Sequence, residues 1–191
     1  MDIKMDTFGC IANTIKVAAG HYVDLGNPDP ATIEIQSIAA SLSKICRFGG
    51  HSPQFYSVAE HCVHATGLAA AEGFRGADLV AILLHDAAEA YCGDMVKPLK
   101  IMMLEYAAVE RRLEAAIEKA FGIDFKAHET AIKRFDRAML KAEKIAMWPN
   151  DAQEWTGFRS IEDTVVSFGF WPPAKAEANF LSMARALKLN L

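Results

Sequence analysis

The stretch Leu79-Val80-Ala81-Ile82-Leu83-Leu84-His85-Asp86-Ala87-Ala88-Glu89 decides how the chain is read. Six apolar residues run straight into an adjacent imidazole and carboxylate, which predicts a helix buried on all sides that ends in polar groups. Buried polar groups need partners. A divalent cation is one partner that satisfies a histidine nitrogen and an aspartate oxygen together. Glu89 follows His85 by four residues and is expected on the same helix face, so this helix, about 76–91, carries half of a candidate catalytic site.

Working outward, Ser57-Val58-Ala59-Glu60 fits a capping box, in which the serine hydroxyl and the glutamate carboxylate satisfy free amides at a helix start. It opens a helix to about Ala71 with His61 in the first turn. The preceding loop, Arg47-Phe48-Gly49-Gly50-His51-Ser52-Pro53, cannot be helical because two glycines and a proline interrupt it. Before that loop, Ile38, Leu42 and Ile45 predict a helix over about 32–46, started after Asn27-Pro28-Asp29-Pro30. Alternation of Ile15 with Val17 and of Val23 with Leu25 around Ala19-Gly20 predicts a short β-hairpin over 14–25.

Downstream, Cys92-Gly93 ends the central helix and leads to a turn that presents Asp94 and Lys97. A long amphipathic helix is expected over 99–121 with Gly122 as its stop, and another over 129–148 ended by Pro149. Asp136 sits inside the apolar stripe of the latter, where an acid signals an ion pair, a cap or a metal. An irregular segment over 150–171 precedes a last helix opened by Pro172-Pro173. The fold class is all-α: one helical domain over 1–191, its core at 31–149, with the hairpin and last helix packed on it.

The 191 residues are 52% hydrophobic and 23% charged, a globular composition. A net charge of −4 provides no basic field for a nucleic-acid polymer or an anionic membrane. Residues 1–6 contain no apolar signal core, and no window approaches the ~18 apolar residues of a membrane span. Cys10, Cys46, Cys62 and Cys92 lack CxxC spacing, so they are expected as free thiols in the cytoplasm rather than as zinc ligands or a disulfide framework.

His61, His85, Asp86 and Asp136 come from three predicted helices and could supply four ligands to one ion. Mn²⁺, Co²⁺ or Fe²⁺ would leave positions open for water and a substrate oxygen, whereas Zn²⁺ accepts fewer ligands. Cations nearby suit a phosphate ester, whose oxygens gain charge during attack. Arg47 and Lys97 are the candidates, with Phe48 or Tyr91 placed to stack on a base unless they are core.

The order of His61, the His85-Asp86 doublet and Asp136, with Glu89 and Gly93-Asp94, resembles the HD-domain metal-dependent phosphohydrolases over about 47–146. Among these the chain is most similar to the small 5′-deoxynucleotidases, although Phe48 stands where those enzymes carry tryptophan. The stretch 27–59 is also similar to bacterial and phage HD hydrolases, some of which remove triphosphate from dATP.

The resemblance implies an all-α HD bundle in which His61, His85, Asp86 and Asp136 hold the metal. It implies catalytic or water-positioning roles for Glu89 and Asp94, and substrate contacts for Arg47 and Phe48. A deoxynucleotide substrate and a homo-oligomer are expected. Hydrolysis of a 5′-monophosphate is the first expectation. Release of triphosphate from a dNTP, with a second ion such as Mg²⁺, is the alternative, and a non-catalytic nucleotide-binding protein is the third.

Overall fold

The computed structural model describes residues 13–155 and 157–189. Residues 1–6 and Cys10, which figure in the sequence reading, lie outside these. The chain is an all-α bundle with a two-stranded N-terminal hairpin, as the periodicities predict. Strands β1 (Thr14–Lys16) and β2 (Tyr22–Asp24) pair antiparallel with Ile15 opposite Val23. Gly20 takes φ 92° in the turn, a conformation that costs glycine little.

Helix α1 (Ile35–Leu42) is shorter than the expected 32–46. Its apolar face, Ile35, Ile38, Ala39 and Leu42, is fully buried. The chain leaves it early because residues 45–47 pair with the segment before the next helix. Val58 N–H donates to the Ile45 carbonyl at 3.1 Å and Arg47 N–H to the Tyr56 carbonyl at 2.9 Å. Helix α2 (Val58–Ala71) starts where the capping signal places it, with Ser57 Oγ accepting from Glu60 N–H at 3.1 Å.

The central helix is not continuous. It is α3 (Ala77–Leu84), a tightened turn over 85–88, and α4 (Glu89–Cys92). In the turn the amides of Ala87, Glu89 and Ala90 reach back three residues, to the carbonyls of Leu84, Asp86 and Ala87. At about three residues per turn, positions i and i+3 eclipse, so Glu89 aligns with Asp86 rather than with His85 as an α-helix would have it.

The long helix expected over 99–121 is also divided. Helix α5 (Lys97–Lys100), opened by Pro98, is separated from α6 (Leu104–Phe121), which stops at Gly122 in the left-handed conformation, φ 64°. Helices α7 (Glu129–Met147) and α8 (Pro173–Ala186) match their expected bounds within a residue or two. Among the described residues between them, the one helical element is a short 3₁₀ turn at Phe158–Ser160.

Two apolar clusters fill the bundle. The larger joins the hairpin, α1, α2, the end of α3, α4, α6 and α8. The smaller, Ala65, Ala69, Leu79, Ile82, Ala131, Phe135 and Met139, lies where α2, α3 and α7 meet. Each of those three helices packs on the other two, so polar residues on their facing turns must converge. Among the described residues no helix is long and apolar enough to cross a membrane.

Candidate metal centre

The N-terminal turn of α2, the turn after α3 and the first half of α7 deliver His61, His85-Asp86 and Asp136 to one point. The two Nε2 atoms of His61 and His85 are 3.3 Å apart. Asp86 Oδ2 lies 3.8 Å from His61 Nε2 and 3.3 Å from His85 Nε2, and Asp136 Oδ1 lies 3.4 Å and 3.9 Å from the same two nitrogens. His61, His85 and Asp86 form a group that could hold a metal ion, and Asp136 closes on it from α7.

The imidazole orientations follow from their other nitrogens. His61 Nδ1 is 2.6 Å from Glu143 Oε1, and His85 Nδ1 is 2.7 Å from the Ile82 carbonyl oxygen. Both partners only accept, so each Nδ1 donates its proton outward and each Nε2 presents a lone pair to the centre. Two lone pairs and two carboxylate oxygens then face one another, an arrangement that requires protons or a cation between them. Protons show the demand. Burial alone would push the His85 imidazole down, yet the Asp86 charge and the hydrogen bond with Asp136 outweigh it and hold His85 well above its ordinary value. Burial would likewise raise Asp136, but its bonds to His61 and His85 keep it well below the usual carboxylate range. A nitrogen and oxygen donor set of this kind fits a first-row divalent ion.

Glu143, which the sequence reading passed over, organises the second layer. It is fully buried and accepts from His61 Nδ1, from Tyr56 OH at 2.9 Å and from Arg47 Nη2 at 3.1 Å. Against the cost of burial, the Arg47 and His61 charges and the two side-chain bonds lower its pKa to about 2. A signal was present: Glu143 follows Asp136 by seven residues, two helical turns, and so shares its face. Tyr56 carried no such signal.

Arg47 is 9% exposed, and its Nη1 stands 3.5 Å from Asp86 Oδ2 while its Nε has no hydrogen-bond partner among the described residues. Its charge therefore sits beside the cluster. Phe48 holds φ 57°, sparsely populated for a residue with a side chain, and its ring meets Trp148 edge-on at 5.1 Å and Trp155 at 6.3 Å. Tyr91 belongs to the main core, which leaves Phe48 as the aromatic nearer the site.

Glu89 is 9% exposed, and one of its carboxylate oxygens has no hydrogen-bond partner among the described residues. Burial, reinforced by the Asp86 and Asp94 charges, pushes its pKa up to about 10. Asp94 is half-buried and raised in turn, by burial first. Lys97 is exposed and forms no ion pair with a described residue.

Glu60 departs from the capping box. Its fully buried carboxylate does not return to Ser57 but accepts Gly169 N–H at 2.9 Å and Trp171 N–H at 2.6 Å. It thereby pins the irregular segment across α2, and Phe168 and Phe170 pack edge-on against the Tyr56 ring, at 5.6 Å and 6.2 Å. Of the described cysteines, Cys62 is buried, and Cys46 and Cys92 are half-buried free thiols.

No family model matches the chain. It is 37% identical over 164 residues to the uncharacterized protein YfdR of Escherichia coli (strain K12), covering 86% of this chain and 87% of that one. It is 36% identical over 141 residues to the uncharacterized protein RCAP_rcc00048 of Rhodobacter capsulatus, covering 69% and 72%. With most of its length aligned at this identity, the chain belongs to the family that includes YfdR.

Proposed function

We propose that this chain is a metal-dependent phosphohydrolase of the HD-domain kind, acting on 2′-deoxyribonucleoside 5′-phosphates in the cytoplasm. The observation that carries this reading is the convergence of four acceptor atoms, His61 Nε2, His85 Nε2, Asp86 Oδ2 and Asp136 Oδ1, on one point beside a buried arginine. Those four would hold one divalent ion, Mn²⁺, Co²⁺, Fe²⁺ or Zn²⁺. When bound, such an ion lowers the pKa of water from 15.7 toward ~7 and offsets charge on phosphoryl oxygens.

The chain's own groups supply the rest. Glu143 fixes the His61 tautomer and holds Arg47 in place, and Arg47 sets positive charge where phosphoryl oxygens gain negative charge. In hydrolysis a water oxygen bonds to phosphorus, and the bond from phosphorus to the 5′ oxygen breaks with its electron pair on that oxygen, which takes up a proton. The free thiols support a reducing compartment.

The test is a panel of deoxynucleoside mono-, di- and triphosphates with metal-stripped protein reloaded with Mn²⁺ or Co²⁺. Inorganic phosphate from a monophosphate is the expected product. Triphosphate release from a dNTP would instead assign the second chemistry, and no turnover at full metal occupancy would refute the reading.

A further inference from the structure

Among the described residues, exposed large apolar side chains are concentrated in one place. Of the nine exposed ones among the described residues, six fall within nine positions: Val96, Leu99, Ile101, Met102, Met103 and Leu104. Ile101, Met102 and Leu104 are 70%, 78% and 76% exposed. Local structure produces this. Pro98 opens the short α5, which ends at Lys100, and α6 begins only at Leu104, so the link between them lifts its side chains off the bundle.

Together they present on the order of 600 Å² of apolar surface, the top of the ~300–600 Å² range of a lone monomer's largest patch and close to the ~800 Å² each partner contributes to a standard interface. A patch of that size is expected to be covered by protein.

The charges at its ends indicate by what. Lys97 and Glu105 are both exposed, and neither forms an ion pair with a described residue. They lie four positions to either side of Ile101. A two-fold axis passing at Ile101 would lay this segment antiparallel against itself. Lys97 would then meet Glu105 of the partner subunit, Glu105 would meet the partner's Lys97, and the apolar residues would lie between the two pairs. Lys100 is already engaged with Glu110 at 2.6 Å and is not available for this role.

We infer that residues 96–105 form a homodimer interface in which a second copy of this chain covers the exposed segment through paired Lys97–Glu105 contacts. Asp94 lies two residues before Val96, so the same contact orders the loop that carries a proposed catalytic carboxylate. The interface rests on surface chemistry alone and stands whether or not the phosphohydrolase reading holds.

Sedimentation velocity on the full-length protein across a concentration series tests it, with circular dichroism on each variant to verify folding. The wild type should be a dimer and Ile101→Asp a folded monomer. Lys97→Glu and Glu105→Lys should each weaken the dimer at least about tenfold, because each sets two like-charged pairs across the axis. The double variant Lys97→Glu/Glu105→Lys should restore the wild-type affinity to within a few-fold. A wild type that stays monomeric, a dimer that survives Ile101→Asp, or a double swap that fails to restore association would each overturn the inference.

Discussion

Glu143 bears the heaviest structural load of any single side chain in this account. Replacing it by alanine removes the acceptor for three buried donors at once: His61 Nδ1, Tyr56 OH and Arg47 Nη2. Arg47 would keep Asp86, at 3.5 Å, as its one ion-pair partner among the described residues while remaining 9% exposed. Breaking a buried ion pair from one side costs about 3–5 kcal/mol, and each orphaned donor about 1–3 kcal/mol, amounts that overlap rather than add. We expect Glu143→Ala to destabilise the fold by about 4 kcal/mol. For a chain of this size that corresponds to a fall of roughly 10 °C in Tm, within the ~5–15 kcal/mol total that a domain has. Glu143→Gln retains the shape and one acceptor oxygen, so it should lose less stability. It should still weaken divalent-ion binding about 10–100-fold, because the His61 proton would no longer face a charged acceptor. Urea unfolding followed by circular dichroism measures the first quantity, and calorimetric titration with Mn²⁺ the second. A loss below about 1 kcal/mol for Glu143→Ala would show that the buried network does not hold the site together.

The same carboxylate sets a pH dependence: its pKa in the folded chain is about 2, below its ordinary 4.5, so its stabilisation is present above 4.5 and is lost as pH falls toward 2. Linkage makes that about 3 kcal/mol, and urea midpoints measured from pH 6 down to pH 3 should fall in wild type and flatten in Glu143→Gln. Glu89→Gln should leave ion binding intact while lowering kcat by about 10²–10⁴-fold, and release of the ion by this variant would make Glu89 a ligand instead. Gly169→Ala would place a methyl group into the Trp171 indole and dislodge the two amides that Glu60 holds, costing about 1–3 kcal/mol by thermal melt, whereas an unchanged melt would mean that this segment is not fastened.

Much of the fold was legible because the signals were local and strong. The hairpin, the α2 start at Ser57, the Gly122 stop and the bounds of α7 each follow from a few residues whose backbone preferences agree with the packing. The tightened turn after α3 was not legible, since Ala87 and Ala88 are good helix formers and only tertiary packing bends the chain there. Nor was the division of the long helix, where Leu99, Ile101 and Leu104 continue an apolar pattern on side chains that end up exposed. Within the site, His61, His85, Asp86 and Asp136 stood out because imidazoles and acids interrupt apolar periodicity. Glu143 looked like one more charge on a helix rich in them, and Glu60 looked like a local cap. Both are claimed by partners distant in sequence: Arg47 and Tyr56 for one, Gly169 and Trp171 for the other.

Metal stoichiometry after dialysis, read with the shift in melting temperature on adding Mn²⁺, decides whether these four side chains hold one divalent ion. One ion per chain is expected, with a stabilisation of about 2.7 kcal/mol at a hundredfold excess over Kd. His61→Ala, His85→Ala, Asp86→Ala and Asp136→Ala should each abolish both. An ion retained equally by all four variants, or none retained by the wild type, would contradict that assignment.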